Sequence, residues 1–229
     1  MENYEIREAA ARQTRGNIVM LFLVMLVWGF IMTALASGPM IYLVGEVANV
    51  NTFEAFIDYI AVFLLFLAAM IVIITLVSGI MEYGMIANQN RMFKRESATF
   101  SAGFSGFKRP GACISTFFMR ELFLLLWLLI PIAGFVLVFI KYYSYSCAFY
   151  IVQEDHSEGP IDAITKSKSI MDGKKSQLFR LDVYYFFVWY LPGIFTLGIA
   201  WIWGVPRHMQ ARYNFYQMAK TEKQRQVGN

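Results

Sequence analysis

The sequence predicts an all-α, polytopic membrane bundle of about six transmembrane helices, arranged as helical hairpins with both termini cytoplasmic. Its composition is the first indication, since 58% of the 229 residues are hydrophobic and only 16% are charged. A soluble domain usually has about a quarter charged residues and slightly under half apolar residues. The apolar residues are also gathered in blocks close to the ~20 residues that cross a bilayer core. An integral membrane protein is therefore expected.

The predicted transmembrane domain covers residues 17–219, between a cytoplasmic N-terminal segment, 1–16, and a cytoplasmic tail, 220–229. The first apolar run ends in an A-x-A pattern at Ala34 to Ala36, which resembles a signal-peptide cleavage site. Acidic residues precede this run and further apolar blocks follow it, which favours an uncleaved helix. The expected spans are residues 17–36, 59–81, 112–130, 133–152, 179–193 and 195–217.

Residues 112–152 form an apolar block that is too long for one span. A helix of that length would extend about 60 Å, twice the thickness of the hydrocarbon core. Pro131 and Gly134 predict a turn in this block, because proline ends or kinks a helix at the residue before it. Pro192 and Gly193 predict a second turn in the last apolar block by the same reasoning. The result is a pair of helical hairpins.

The basic residues indicate the number of crossings. Of the 20 Lys and Arg residues, 18 lie in residues 1–16, 83–111, 153–180 and 207–229, and none lies in 37–58. Basic residues in short loops are retained in the cytoplasm, and six crossings place all four basic segments there. A four-span arrangement would export the third segment, and a five-span arrangement would export the fourth.

Three charged residues interrupt the long apolar block and form a candidate intramembrane polar site: Arg120, Glu121 and Lys141. About ten residues separate Glu121 from the predicted turn and about eight separate Lys141 from it, so the two would lie at similar depth. Ionisable side chains within a span usually pair. The pair would either fix the register of the hairpin or serve an ion, a proton or a lipid headgroup. Asp182 and Arg207 are weaker candidates for an equivalent pair in the last hairpin.

Cytoplasmic lysines between the two hairpins could contact anionic lipid headgroups, although topology alone also explains them. The candidates are Lys166, Lys168, Lys174 and Lys175. We expect no catalytic residue, metal or cofactor, because no G-x-S-x-G or H-E-x-x-H motif occurs and the two cysteines lack C-x-x-C spacing. The net charge of +4 is explained by cytoplasmic loops, and no nucleic-acid partner is expected.

Four segments in a fixed order resemble the domain-of-unknown-function 975 family of bacterial integral membrane proteins. They read FSAGFSGFKR, LWLLIPIAGFVLVFIKYYSYSCAFYIVQED, AITKSKSIMDGKKSQLFRLD and GIAWIWGVPRHMQARYNFY. The resemblance covers most of residues 83–217. The chain departs from the family where Pro-Gly is usually followed directly by Ile-Ile-Lys, because Ile132 and Ala133 here separate Pro131 from Gly134. The resemblance implies a multi-pass protein of the bacterial cytoplasmic membrane and no established activity.

Two functions are compatible with these features. The first is a non-enzymatic protein that binds or organises a lipid, a peptide or another membrane protein. The alternative is a small transporter or channel subunit that uses the intramembrane charges. The expected partners are the lipid bilayer and either a membrane-protein partner or further copies of the same chain. A transporter would need a continuous polar path, whereas a scaffold would have paired charges in a dry core.

Overall fold

The computed structural model describes residues 2–47, 50–130 and 134–228, which are mostly helical and contain no β-strand. The predicted all-α fold is confirmed. A 3-10 turn occurs at Ser105–Lys108, and a π-helical turn occurs at Phe186–Tyr190. The helices are α1 (Asn3–Thr14), α2 (Ile18–Val47), α3 (Phe53–Phe93), α4 (Phe100–Gly103), α5 (Pro110–Leu128), α6 (Gly134–Tyr145), α7 (Ala148–Glu154), α8 (Pro160–Ile170), α9 (Lys175–Tyr185), α10 (Leu191–Phe195) and α11 (Ile199–Gly228).

Within the described residues, four helical segments are long and apolar enough to cross a membrane. They are Ile18–Val47, Phe53–Phe93, Pro110–Leu128 and Gly134–Glu154, the last combining α6 and α7. They overlap the first four predicted spans, whose bounds stay predictions, and they indicate a membrane protein in a lipid bilayer. The last two predicted spans correspond to α9 with α10 and to α11. Their crossing of the membrane, and the total of six, stay predictions.

The hairpin of α2 and α3 exposes much of its apolar surface. Phe30 on α2 is 74% exposed and Leu65 on α3 is 71% exposed. At 1.5 Å per residue α3 extends about 60 Å, well beyond its predicted span. Exposed apolar side chains over this length suit contact with lipid or with another membrane protein.

The buried core lies where both ends of the chain meet the bundle. The N-terminal segment folds as α1, which packs along α11 and fully buries Ile6 and Ala10. The predicted cytoplasmic tail likewise continues α11 as far as Gly228. Large aromatic side chains fill this core, among them Trp28, Tyr213 and Tyr216, each no more than 1% exposed. The N-terminal segment therefore stabilises the bundle by burying apolar surface.

The segment that contains α4 runs closely along α3, and glycine permits this approach. A Cβ on Gly84 of α3 would lie 2.0 Å from the carbonyl oxygen of Gly103. Trp28 of α2 closes the other side, because its Nε1 donates to the same carbonyl oxygen at 3.2 Å. Its ring also stacks on Phe104 and Phe107, at centroid distances of 4.8 and 5.9 Å. This aromatic stack fixes α2, α3 and the entry to α5 together.

The predicted turn at Pro192 and Gly193 is wrong, because both residues lie inside α10. Proline is tolerated in the first turn of a helix, and here it follows a π-helical turn without reversing the chain. The chain reverses a few residues later, at Leu197 and Gly198, whose φ angles are 50° and 89°. Gly193 instead allows close packing, since a Cβ there would lie 1.8 Å from Nε1 of Trp201.

The predicted turn of the preceding hairpin joins α5 to α6. Pro131 lies outside the described residues. Gly134 begins α6, and its backbone N–H donates to the carbonyl oxygen of Ile130 at 2.9 Å. The two helices pack against each other, as a hairpin requires.

Candidate functional site

Arg120 of α5 is the centre of one cluster of charges. Its Nη1 and Nη2 donate to the two carboxylate oxygens of Glu82 on α3, at 2.7 and 2.9 Å. Its Nε donates to Glu121 at 3.0 Å. The guanidinium carbon also lies 5.0 Å from the ring centroid of Phe117 and 4.9 Å from that of Phe149. This two-pronged pairing ties α5 to α3 and satisfies a cation that is only 14% exposed.

The predicted pair between Glu121 and Lys141 is wrong. Glu121 pairs with its neighbour Arg120, whereas the Lys141 ammonium lies 4.3 Å from the ring centroid of Trp127. Trp127 is held in place because its Nε1 donates to the hydroxyl of Tyr145 at 3.0 Å. Similar depth in a hairpin does not make two side chains face each other, because the rotation of each helix decides the partner.

A second cluster links α9, the π-helical turn and α11. Nε2 of His208 lies 2.8 Å from Oδ1 of Asp182, and the Tyr190 hydroxyl lies 3.0 Å from Nδ1 of His208. With the imidazole proton on Nε2, His208 donates to Asp182 and accepts from Tyr190. All three residues are partly buried. Such a hydrogen-bonded chain can hold a proton or pass it along.

Arg212 extends this cluster by one turn of α11. Its Nε lies 3.7 Å from Oδ1 of Asp182, and its Nη1 donates to the Tyr142 hydroxyl of α6 at 3.3 Å. The predicted pair between Asp182 and Arg207 is therefore wrong. Arg207 stacks its guanidinium at 5.0 Å from the ring centroid of Trp189. His208 and Arg212 take its place because they lie on the face of α11 that meets α9.

Two cavities meet at Arg212. One of about 360 Å³ is lined by the second cluster, including Tyr142, Asp182 and His208. The other, of about 290 Å³, is lined by Glu82 of the first cluster and by Tyr150. Arg212 forms part of the wall of both. Arg212 thus lies between the two clusters.

Residues 138–223 match the family model described as a protein of unknown function (DUF975). The predicted resemblance is confirmed. No curated protein and no solved structure matches the chain.

The DUF975 match extends from within α6 to near the end of α11. It includes every residue of the second cluster, among them Tyr142, Asp182 and Arg212. The first cluster lies outside the match, because Glu82 and Arg120 belong to α3 and α5. The Asp182 cluster is therefore the candidate site that the DUF975 region itself provides.

Glu154, within the DUF975 region, anchors α7 to α11. Its carboxylate accepts hydrogen bonds from the hydroxyls of Tyr213 and Tyr216, at 3.1 and 2.7 Å, and from Nζ of Lys220 at 2.5 Å. Nε2 of Gln217 also donates to it. Glu154 was not among the candidate residues of the sequence analysis.

The candidate headgroup lysines differ in their surroundings. Lys166 pairs with Glu158, and Lys174 pairs with Glu222 near the end of α11. Lys168 lies 5.4 Å from the ring centroid of Tyr145. Their contact with headgroups stays a prediction, as does that of Lys175, the first residue of α9.

Sequence reasoning also missed Glu82, His208, Tyr190 and Arg212. Glu82 is the first residue after the predicted second span, 59–81. That position could have identified it as a charged residue at the membrane boundary. His208 and Arg212 are one helical turn apart, which places them on one face of α11. The sequence contains this spacing, but it does not show which helix that face meets.

Proposed function

We propose that the chain is a non-enzymatic protein of the bacterial cytoplasmic membrane that binds or organises a lipid, a peptide or a membrane-protein partner. The observation that carries the proposal is the pairing of charges inside the bundle. Arg120 is bound by two carboxylates, and Asp182 is bound by His208 and Arg212. Paired charges fix helices relative to one another, and they are what a scaffold requires.

The hairpin of α2 and α3 is the surface that we propose for a partner. Its exposed apolar side chains extend along helices that are longer than a bilayer crossing needs. The rest of the chain holds the base of this hairpin through Trp28 and the close contact of Gly84 with Gly103. A rigid base with an extended apolar arm suits the organisation of neighbouring membrane proteins.

Site-specific photocrosslinking in native membranes tests this proposal. A photoreactive residue at Phe30 or Leu65 reports on the hairpin, and one at Phe135, which is 79% exposed at the start of α6, is the matched control. We expect a discrete crosslinked product from the first two positions and none from the third. Equal, diffuse crosslinking to lipid at all three positions would contradict a partner on this hairpin.

A proton-coupled transporter or channel subunit is the second candidate. It is supported by the hydrogen-bonded chain of Tyr190, His208 and Asp182 and by the two cavities that share Arg212. Proteoliposomes with an entrapped pH-sensitive dye test it. Proton flux in the unmodified protein that is lost in His208→Gln would favour transport, and equal dye traces with and without protein would exclude proton flux.

A further inference from the structure

Tyr142 and Arg212 present adjacent hydrogen-bond donors on the wall of the cavity of about 360 Å³. Nη1 of Arg212 donates to the Tyr142 hydroxyl at 3.3 Å, so the two groups lie side by side. Among the described residues, the proton of that hydroxyl has no acceptor and Nη2 of Arg212 has no hydrogen-bond partner. A phenol has one O–H donor and a guanidinium has five N–H donors. Free donors of both kinds therefore remain at one point of the cavity wall.

The charges around these donors are balanced. Oδ1 of Asp182 lies 3.7 Å from Nε of Arg212, so one negative charge faces one positive charge. With its imidazole proton on Nε2, His208 is neutral and donates to Asp182 at 2.8 Å. A second anion in the cavity would be repelled by the Asp182 carboxylate, whereas an uncharged oxygen would not. The free donors therefore favour a neutral acceptor, such as a carbonyl oxygen.

Exposed apolar side chains adjoin this cavity. Phe186 on its wall is 51% exposed. The ring of Tyr143, which also lines the cavity, lies 5.3 Å from the ring centroid of Phe139 and 6.0 Å from that of Phe179. Both phenylalanines are exposed, and Phe139 belongs to the apolar segment Gly134–Glu154. A molecule dissolved in the bilayer can therefore reach the cavity along this surface.

We propose that the cavity binds a neutral, membrane-soluble molecule whose headgroup presents a carbonyl oxygen to Tyr142 and Arg212. Its apolar tail lies against Phe139 and Phe179. The cavity volume falls within the roughly 300–1,000 Å³ of small-molecule sites, which are mostly apolar with a few polar groups that fix orientation.

Two kinds of membrane molecule carry such a carbonyl. A quinone has it on its ring, and an uncharged glycerolipid has it in its ester groups. Both would place the same acceptor oxygen between the Tyr142 hydroxyl and the Arg212 guanidinium. The inference rests on the proposed function in that it names a lipid-soluble molecule as one bound partner.

Retention of four probes by the immobilised, detergent-solubilised full chain tests the site. Decylubiquinone carries ring carbonyls, dioleoylglycerol carries ester carbonyls, dodecylbenzene carries no carbonyl, and oleate carries a carboxylate. Each probe is titrated, the bound amount is measured by mass spectrometry of the extract, and resin without protein is the blank. We expect at least one carbonyl probe to be retained more tightly than dodecylbenzene and oleate, and which of the two is retained identifies the source of the carbonyl.

Tyr142→Phe should weaken retention of the carbonyl probe about fivefold, which is the effect of one lost hydrogen bond. Tyr184→Phe is the matched control on α9, because Tyr184 lies outside the cavity wall, and it should leave retention unchanged. Equal retention by the two variants would overturn the inference. So would retention of dodecylbenzene or oleate as tight as that of both carbonyl probes, or retention of no probe above the blank.

Crosslinking with the unmodified chain decides if Tyr142→Phe fails to fold. The carbonyl probe is then made with a photoreactive diazirine in its apolar tail. It should label the peptides that contain Phe139 or Phe179, and labelling confined to other peptides refutes the site.

The two proposals can fail separately. If photocrosslinking at Phe30 and Leu65 yields no partner while a carbonyl probe is retained and Tyr142→Phe weakens it, the partner surface is wrong and the cavity site stands. If those positions capture a partner and Tyr142→Phe retains the probe fully, the cavity site is wrong and the partner surface stands.

Discussion

Replacing Glu82 by glutamine should destabilise the bundle by about 2–3 kcal/mol. Removing one partner of a fully buried ion pair costs about 3–5 kcal/mol, and an exposed pair contributes at most about 1 kcal/mol. The Arg120 side chain is 14% exposed and that of Glu82 is 30% exposed, so their pair lies between these limits. Arg120 keeps Glu121 as a partner in this variant, which limits the loss.

A double-mutant cycle of Glu82→Gln and Arg120→Gln isolates the pair. The free energy of unfolding is measured by titrating the detergent-solubilised protein with sodium dodecyl sulfate and following helicity by circular dichroism. We expect the two effects to be non-additive, with a coupling energy of about 1.5–2 kcal/mol, because both variants remove the same two hydrogen bonds. Glu121→Gln should cost less, about 0.5–1 kcal/mol, since that carboxylate is 47% exposed and makes one bond.

Additive effects of the two substitutions would refute this reasoning, as would a larger loss from Glu121→Gln than from Glu82→Gln. The reciprocal swap of Glu121→Lys with Lys141→Glu provides a further comparison. A direct pair between these residues would let the swap recover the stability that Glu121→Lys loses. We expect no recovery, because Glu121 contacts Arg120 and Lys141 contacts Trp127.

Two further predictions concern helix packing and pH. Gly84→Ala should lower the free energy of unfolding by about 1–3 kcal/mol in the same assay, because the added Cβ would meet the backbone of Gly103. Gly29→Ala is the control and should be neutral or stabilising, because its Cβ would meet nothing within 4 Å. Equal effects of the two substitutions would contradict the close contact between Gly84 and Gly103. The hydrogen bond from Lys174 lowers the pKa of Glu222 below its ordinary value of 4.5. The stability that this contact contributes is therefore present above pH 4.5, and it is lost as the pH falls through the lowered pKa. Amide hydrogen exchange near the end of α11 should therefore become faster in that acidic window relative to Glu222→Gln, which has no titrating carboxylate at this position. A constant ratio between the two proteins would refute the prediction.

The hairpin of α5 and α6 shows how far the sequence alone determines this protein. A continuous apolar block that exceeds the bilayer thickness must fold back, and helical residues satisfy their own backbone hydrogen bonds in lipid. Both arguments depend on local composition and length, so they predicted the all-α fold and the first four apolar segments. The family resemblance depends on motif order in the same chain, and it too was available without a structure.

The partner of each charge was decided only by the tertiary structure. Arg120 binds Glu82, which is 38 residues away, and Arg7 stacks on Tyr184, which lies in another helix altogether. Hydrophobic periodicity shows which residues share a face of one helix, but it does not show the rotation and crossing angle that bring two faces together. Those angles follow from close packing, such as that of Gly84 against Gly103. The sequence by itself therefore determined that the chain forms apolar helices with a few charges among them, and packing decided which charges meet.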